Sequence, residues 1–305
     1  GARRPARSGT IARVVGAVPL RRPDQTSHSD PRGIAGYVLS NPDGDDGGAL
    51  TDYDLIGSAA RGTGLFALDA IETFNFLCIP PLARDADVGA STLLVANRYC
   101  RERRALLFVD PPVAWDSAGK ALAEMRNWPL PSDTACMYFP RLLAYDKLRG
   151  RFEAFAPCGA VAGTLSRAAD VAPFWSAATG EDTALRPGLR PMCAVDDNYR
   201  ARLVACGVNT VQTVRRPGRE VPIACTMAGP GAGAADWRML PARRLAFMII
   251  SSIERGTRWM LFEPNEPPTW RRAAAQVRAF LSSLEERGAF AHREPGDRWF
   301  VLCNE

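Results

Sequence analysis

Eight cysteines and two histidines are the residues of this 305-residue chain best suited to metal or nucleophilic chemistry, and their placement argues against both. Cys78, Cys100, Cys136, Cys158, Cys193, Cys206, Cys225 and Cys303 include no C-x-x-C pair, and most sit inside apolar runs such as Phe76-Leu77-Cys78-Ile79. That pattern fits buried free thiols in a reducing compartment better than disulfides or thiolate ligands. His28 and His292 each lie in a polar context, so the inventory excludes zinc sites and histidine-dependent triads, and no cofactor is expected. The glycine-rich stretches are equally poor in chemistry. Gly229 to Gly233 has no Lys-Ser/Thr to complete a phosphate-binding loop, and Gly62-Thr63-Gly64 lacks the third glycine of a dinucleotide fingerprint. The acid pairs Asp85/Asp87, Asp196/Asp197 and Glu285/Glu286 are adjacent or nearly so, which suits caps and solvated faces rather than acid/base partners.

The elements that would position any site follow an α/β rhythm. Hydrophobic content of 47% predicts one large or two ordinary globular domains, and 26 Gly with 24 Pro predict many loops. No apolar run reaches the roughly 20 residues of a bilayer span. The net charge of +5 is small for the length, which disfavours a dedicated nucleic-acid protein. Arginines at positions 3, 4, 7, 13, 21, 22 and 32 mark residues 1–33 as a basic arm or linker, and the Gly1-Ala2 start predicts a chain trimmed or processed from a longer one.

Strands are predicted over Phe74 to Ile79, Ala105 to Val109 and Ala135 to Phe139, with helices over Ser91 to Arg103 and Ala118 to Arg126 between them. Such alternation implies βαβ units and a largely parallel sheet. In the second half, helices are expected over Ala160 to Ala168, over Asn198 to Cys206, and from Pro241 to Gly256. Strands are expected over Val208 to Val214, Val221 to Thr226 and Arg298 to Cys303, as one mixed sheet.

The most informative stretch runs from Trp259 to Gly288. Trp259 to Phe262 predicts a short strand covered on both faces, and Asn265 before Pro267 and Pro268 predicts an N-cap with prolines in the first turn. Trp270, Ala273, Ala274, Val277, Leu281 and Leu284 then form one apolar stripe, which ends at about Arg287 with Gly288 behind it. Arg271, Ala275, Arg278 and Ser282 line the other side.

Taken together, these motifs resemble the contractile tail sheath family of phage tails and phage-tail-like injection systems. Phe262-Glu263-Pro264-Asn265 with Trp270 carries the resemblance. It is joined by Pro157-Cys158-Gly159-Ala160-Val161-Ala162-Gly163 with Asp170 behind it, and by Gly207-Val208-Asn209 before a strand. Arg243-Arg244-Leu245 opening a helix, Gly288-Ala289-Phe290, Trp299-Phe300-Val301, Gly64-Leu65-x-Ala67-Leu68 and Asn75-Phe76-Leu77-Cys78-Ile79-Pro80 follow the family order, so the resemblance spans about residue 34 to the end.

The resemblance implies a subtilisin-like α/β domain with a parallel-rich sheet over 34–180, followed by an α+β C-terminal sheath domain over 181–305. It implies a non-enzymatic structural subunit that assembles with itself as stacked hexameric rings around an inner tube protein, joins baseplate components, and contracts to drive the tube through a membrane. Arms of neighbouring subunits would be linked by strand addition. No nucleic acid partner and no direct membrane insertion are implied, and assembly would take place in the bacterial cytoplasm. The subtilisin-like label carries no protease, because no histidine follows His28 in the α/β region and no Gly-x-Ser-x-Gly elbow exists. Arg271, Arg278, Arg243 and Arg244 are the side chains expected to face an acidic tube.

Three departures from the family pattern stand out. The sequence stops at Cys303-Asn304-Glu305, where sheath proteins continue into a C-terminal arm, so the linking strand is expected to be absent or outside this sequence. Met227 to Asp236 replaces a more regular segment, and Phe174-Trp175-Ser176-Ala177 lacks the usual lysine. Two alternatives stay open: a baseplate, cap or initiator protein that reuses the fold without polymerising, and an α/β enzyme with an unrecognised site.

Overall fold

Short apolar runs that cannot satisfy their own backbone assemble into a four-stranded sheet in which every pairing is parallel. In the computed structural model the described residues are 48–175, 183–213, 225–228, 237–290 and 298–303, with the backbone strands at 27–29, 35–37 and 219–220. Two compact units are present, residues 1–49 and 50–305. Within the first, β1 (Ser27–Ser29) and β2 (Ala35–Tyr37) pair antiparallel. The rest of the expected basic arm, and His292, lie outside the described residues.

The second unit opens with α1 (Asp52–Ile56), whose Thr51 and Asp54 form a reciprocal capping box. A 3₁₀ stretch, Gly64–Ala70, leads to β3 (Phe76–Cys78), α2 (Ala90–Arg103), β4 (Leu106–Val109), α3 (Ala118–Met125) and β5 (Ala135–Phe139). Then come β6 (Leu142–Asp146), β7 (Arg151–Phe155), α4 (Cys158–Val171), β8 (Arg190–Pro191), α5 (Asp197–Ala205), β9 (Val208–Thr210), β10 (Gln212–Thr213) and β11 (Arg219–Glu220). The last helices are α6 (Leu240–Gly256) and α7 (Pro267–Glu286).

The parallel sheet has the order β3-β4-β5-β9. Strand pleating splits its side chains between two layers. Leu107, Val109, Ala135, Met137, Phe139 and Val208 pack with Tyr99 of α2, Leu122 of α3 and Leu203 of α5, around a fully buried Trp115. Leu106, Phe108, Cys136 and Tyr138 face the other way, onto Val161 and Leu165 of α4 and Leu240 and Phe247 of α6. Every residue of β4, β5 and β9 is buried, as expected of a parallel sheet covered by helices on both faces.

The second half departs from expectation. β9 lies beyond residue 180 and yet is the fourth strand of the parallel sheet, paired Val208 to Met137 and Thr210 to Phe139. Antiparallel strands form a separate sheet, β7-β6-β8, built on a hairpin that the apolar pattern did not announce, and β10 pairs antiparallel with β11. The strand expected over Val208 to Val214 is two short ones, β9 and β10, on either side of Val211, with Val214 outside the described residues. Of Val221 to Thr226 only Cys225 and Thr226 are described, and Cys225 forms an isolated bridge to Met239. Among the described residues no helix is long and apolar enough to cross a membrane.

Candidate interaction surface

The residues equipped for chemistry are used up by the fold. No group of acids, cysteines and histidines among the described residues could hold a metal ion, and all eight cysteines are free thiols. Burial pushes Cys100 up to about 12 and Cys225 up to about 11, and holds Cys136 well above the ordinary thiol range. Such thiols carry almost no thiolate. The hydrogen bond from Cys158 draws Cys78 downward while the same contact pushes Cys158 up.

The acid pairs are structural. Asp196 Oδ1 accepts from the Tyr199 amide at 2.8 Å and caps α5, while Asp197 pairs with Arg200. Asp87 accepts from the Val113 amide at 2.9 Å. Glu285 receives Arg298 Nη1 at 3.0 Å and Trp299 Nε1 at 2.9 Å, fastening the last described segment to α7. Glu286 is exposed in the final turn of α7.

The family-signature residues divide into braces and open surface. Asn209 is fully buried, and its Nδ2 donates to the carbonyls of Cys225 at 2.8 Å and Met137 at 3.2 Å. Its Oδ1 accepts from the Cys225 amide at 2.8 Å, so one side chain binds segment 225–228 to the sheet. Gly207 precedes it with φ +89°, and a Cβ there would stand 3.0 Å from the Met227 backbone. Gly159, Gly163 and Asp170 are exposed on α4, with open space beside both glycines.

The stretch around Phe262 shows the largest correction. Arg258–Phe262 is a 3₁₀ turn, not a buried strand, with Leu261 80% and Phe262 91% exposed. Arg298 to Cys303 likewise pairs with no strand in the described residues, and Phe300 and Leu302 are 81% and 79% exposed. Both runs have strand-like composition but, among the described residues, no neighbouring strand to supply ladder hydrogen bonds, and composition alone cannot supply them. Asn265 is not the cap of α7. Glu266 holds that position, and Asn265 Oδ1 instead accepts from Trp270 Nε1 at 2.7 Å, which accounts for the spacing between these two signature residues. Pro264 accepts from the Glu266 amide at 3.0 Å, and Glu263 pairs with Arg272 at 3.6 Å.

α7 itself matches its pattern. Ala273, Ala274, Leu281 and Leu284 are buried, Trp270 and Val277 are half-buried, and Gly288 follows with φ +80°. Arg271, Ala275 and Arg278 are exposed on the other side, with Arg278 Nη2 3.4 Å from the Val301 carbonyl.

The structure does not bring the four expected arginines together. Arg243 is turned inward onto Asp133 at 2.8 Å and lies over the rings of Trp237 and Phe247, and burial lowers its pKa. Arg244 lies near the rings of Phe76, 4.9 Å away, and Phe174, 5.0 Å away. Sequence reasoning overlooked these aromatic partners, which come from β3 and from the segment just after α4, far from α6 in the chain.

These features place the chain in a structural class, a three-layer α/β scaffold with an apolar and basic surface at its C-terminal end. No protein-family model and no curated protein matches the sequence. Solved structures do. The chain is similar to the sheath complex of the extracellular contractile injection system PVC in its contracted state, at 24% identity and TM-score 0.56, covering 72% of this chain and 58% of that one. It is also similar to the baseplate of the anti-feeding prophage in its contracted state, at 24% identity and TM-score 0.60, over 77% and 63% of the two chains. For the contracted helical sheath of the same prophage the values are 19%, 0.59, 86% and 65%. The fold is therefore that of contractile injection system sheath and baseplate proteins, in agreement with the family resemblance of the motifs. The chain spans less than two thirds of each of these relatives.

Proposed function

We propose that the chain is a structural, non-enzymatic subunit of a contractile sheath, one that assembles with copies of itself in hexameric rings around an inner tube and meets baseplate components at one end. The observation that carries this reading is the sheath fold extending over most of the chain while Leu261, Phe262, Phe300 and Leu302 stand exposed at its C-terminal end. Large apolar side chains in solvent mark contact surfaces. Strand addition from a neighbour would cover them and supply the missing ladder. Residues 34–180 would form the subtilisin-like part and 181–305 the C-terminal part, with β9 returning to the first sheet. Assembly would take place in the bacterial cytoplasm, and contraction would release free energy stored in the array rather than consume a nucleotide.

The tube-facing role falls to Arg271 and Arg278, which are exposed, since Arg243 and Arg244 are engaged within the fold. Electron microscopy of the purified protein, alone and with tube protein, tests the assignment. Rings or tubes are expected, and a uniformly monomeric species that never coats a tube would sink it. A baseplate or cap subunit is the second reading, favoured by a likeness to the prophage baseplate as high as that to the sheath. Discrete rings that never extend would select it.

A further inference from the structure

Arg244, a half-buried cation of the second unit, stands beside empty space with no anion in ion-pair contact among the described residues. A cavity of about 110 Å³ opens where the N-terminal ends of β3 and β4 meet α6, lined by Phe76, Phe174, Phe247, Met248, Arg104 and Arg244, with Asn75 at its edge. Arg104 is matched by an ion pair with Glu254. Arg244 forms no hydrogen bond or ion pair among the described residues, and burial lowers its pKa. A guanidinium partly withdrawn from water without a counter-charge loses some hydration, and cation–π contact offsets only part of that loss.

We propose that this cavity is a receptor for a single carboxylate group held by Arg244. The Phe76 and Phe174 rings stand 4.9 and 5.0 Å from the guanidinium carbon and line the cavity with it, and the N–H donors have no hydrogen-bond partner among the described residues. An edge-on fork of N–H donors matches a planar carboxylate through two parallel hydrogen bonds. With Arg104 already neutralised by Glu254, the uncompensated charge is that of one arginine, which suits a monoanion better than a phosphate. The apolar side chains of Phe247 and Met248 leave room for a short hydrocarbon stem. A carboxylate could reach the cavity as a small free acid or as an Asp or Glu side chain of a second copy of the chain. The inference does not depend on the sheath assignment.

Calorimetric titration of the full chain with sodium acetate, against sodium chloride and phosphate at matched ionic strength, tests it. Acetate is expected to bind the wild type more tightly than phosphate. Arg244→Met should weaken it by about tenfold or more, Arg244→Lys by less, and the exposed control Arg271→Met not at all. Sedimentation velocity on the same samples separates the sources. Acetate binding with unchanged sedimentation identifies a free small acid. Self-association that is lost equally in acetate and in Arg244→Met identifies a side chain of a second copy. The proposal is overturned if neither acetate binding nor self-association distinguishes wild type from both Arg244 variants, or if phosphate binds as tightly as acetate.

Discussion

Two apolar regions of this molecule have nearly the same composition and opposite fates. Leu106 to Val109 and Ala135 to Phe139 are buried at every position, between helices on both sides of the parallel sheet. Trp259 to Phe262 and Trp299 to Leu302 are as rich in aromatic and aliphatic side chains, yet Phe262 and Phe300 are among the most exposed large apolar residues of the described chain. The difference lies in backbone partners. β4 has a parallel strand on each side, whereas neither C-terminal run has one among the described residues. Hydrophobic composition shows that a segment is to be covered, but not that its own chain will cover it.

Perturbing the sheet should have the largest effect. Trp115→Ala empties a fully buried site where Trp128 and Phe139 make edge contacts, and a loss of about 3–5 kcal/mol is expected in chemical denaturation. Asn209→Ala leaves the Cys225 amide and two buried carbonyls without their partner, at a cost of about 2–4 kcal/mol. If this variant unfolds at the wild-type denaturant midpoint, the brace between sheet and segment 225–228 contributes nothing.

A smaller and pH-dependent effect is expected at Asp110, whose carboxyl is raised by burial and whose Oδ2 has no hydrogen-bond partner. A native pKa above the unfolded value of 3.8 means that the native state holds the proton more tightly, so this group's contribution falls as pH rises from 3.8 through the native value. Asp110→Asn keeps an acceptor for the Cys158 amide and should gain stability relative to wild type over that rise. Denaturation curves that run parallel across the acid range would contradict the assignment.

At the C-terminal surface the comparison predicts the reverse behaviour. Phe262→Ser should shift folding stability by no more than about 0.5 kcal/mol, because the ring is already in water. Its effect should appear in assembly, as fewer or shorter particles in sedimentation and microscopy. Arg271→Glu with Arg278→Glu should leave the melting temperature within error and weaken the salt-sensitive association with tube protein. An unchanged yield at every ionic strength would remove these two residues from the interface.

What could be read in the sequence follows the same division. The interior was legible because local period and tertiary burial agree there. The three- and four-residue spacing of Ala273, Ala274, Val277, Leu281 and Leu284 defined α7, and Gly288 marked its end at positive φ. The β6–β7 hairpin was not legible, because Leu142 to Asp146 does not alternate cleanly and Tyr145 is exposed. Gly150, at φ +65°, was the available turn signal. Asn209 was recognisable as a motif residue but not as a brace, since its partner Cys225 approaches from a separate segment. Arg243 and Arg244 were singled out as cations near a helix start. Their use depends on Asp133, Trp237, Phe76 and Phe174, which only the tertiary fold brings near.

The crossing of β9 back to β5 has a consequence for the chain as it is made. Asn209 and the carbonyl it meets at Met137 are 72 residues apart, and segment 225–228 must follow before the amide of Asn209 finds all its partners. At roughly 5–20 residues per second, the ribosome needs several seconds after β5 emerges before the last strand can dock. During that interval the open edge of β5 is exposed to every other unfinished copy on the same messenger. The chain therefore passes through a stage during translation in which this edge is unpaired, and synonymous codons that slow elongation between residues 140 and 208 should lower soluble yield without altering the finished protein.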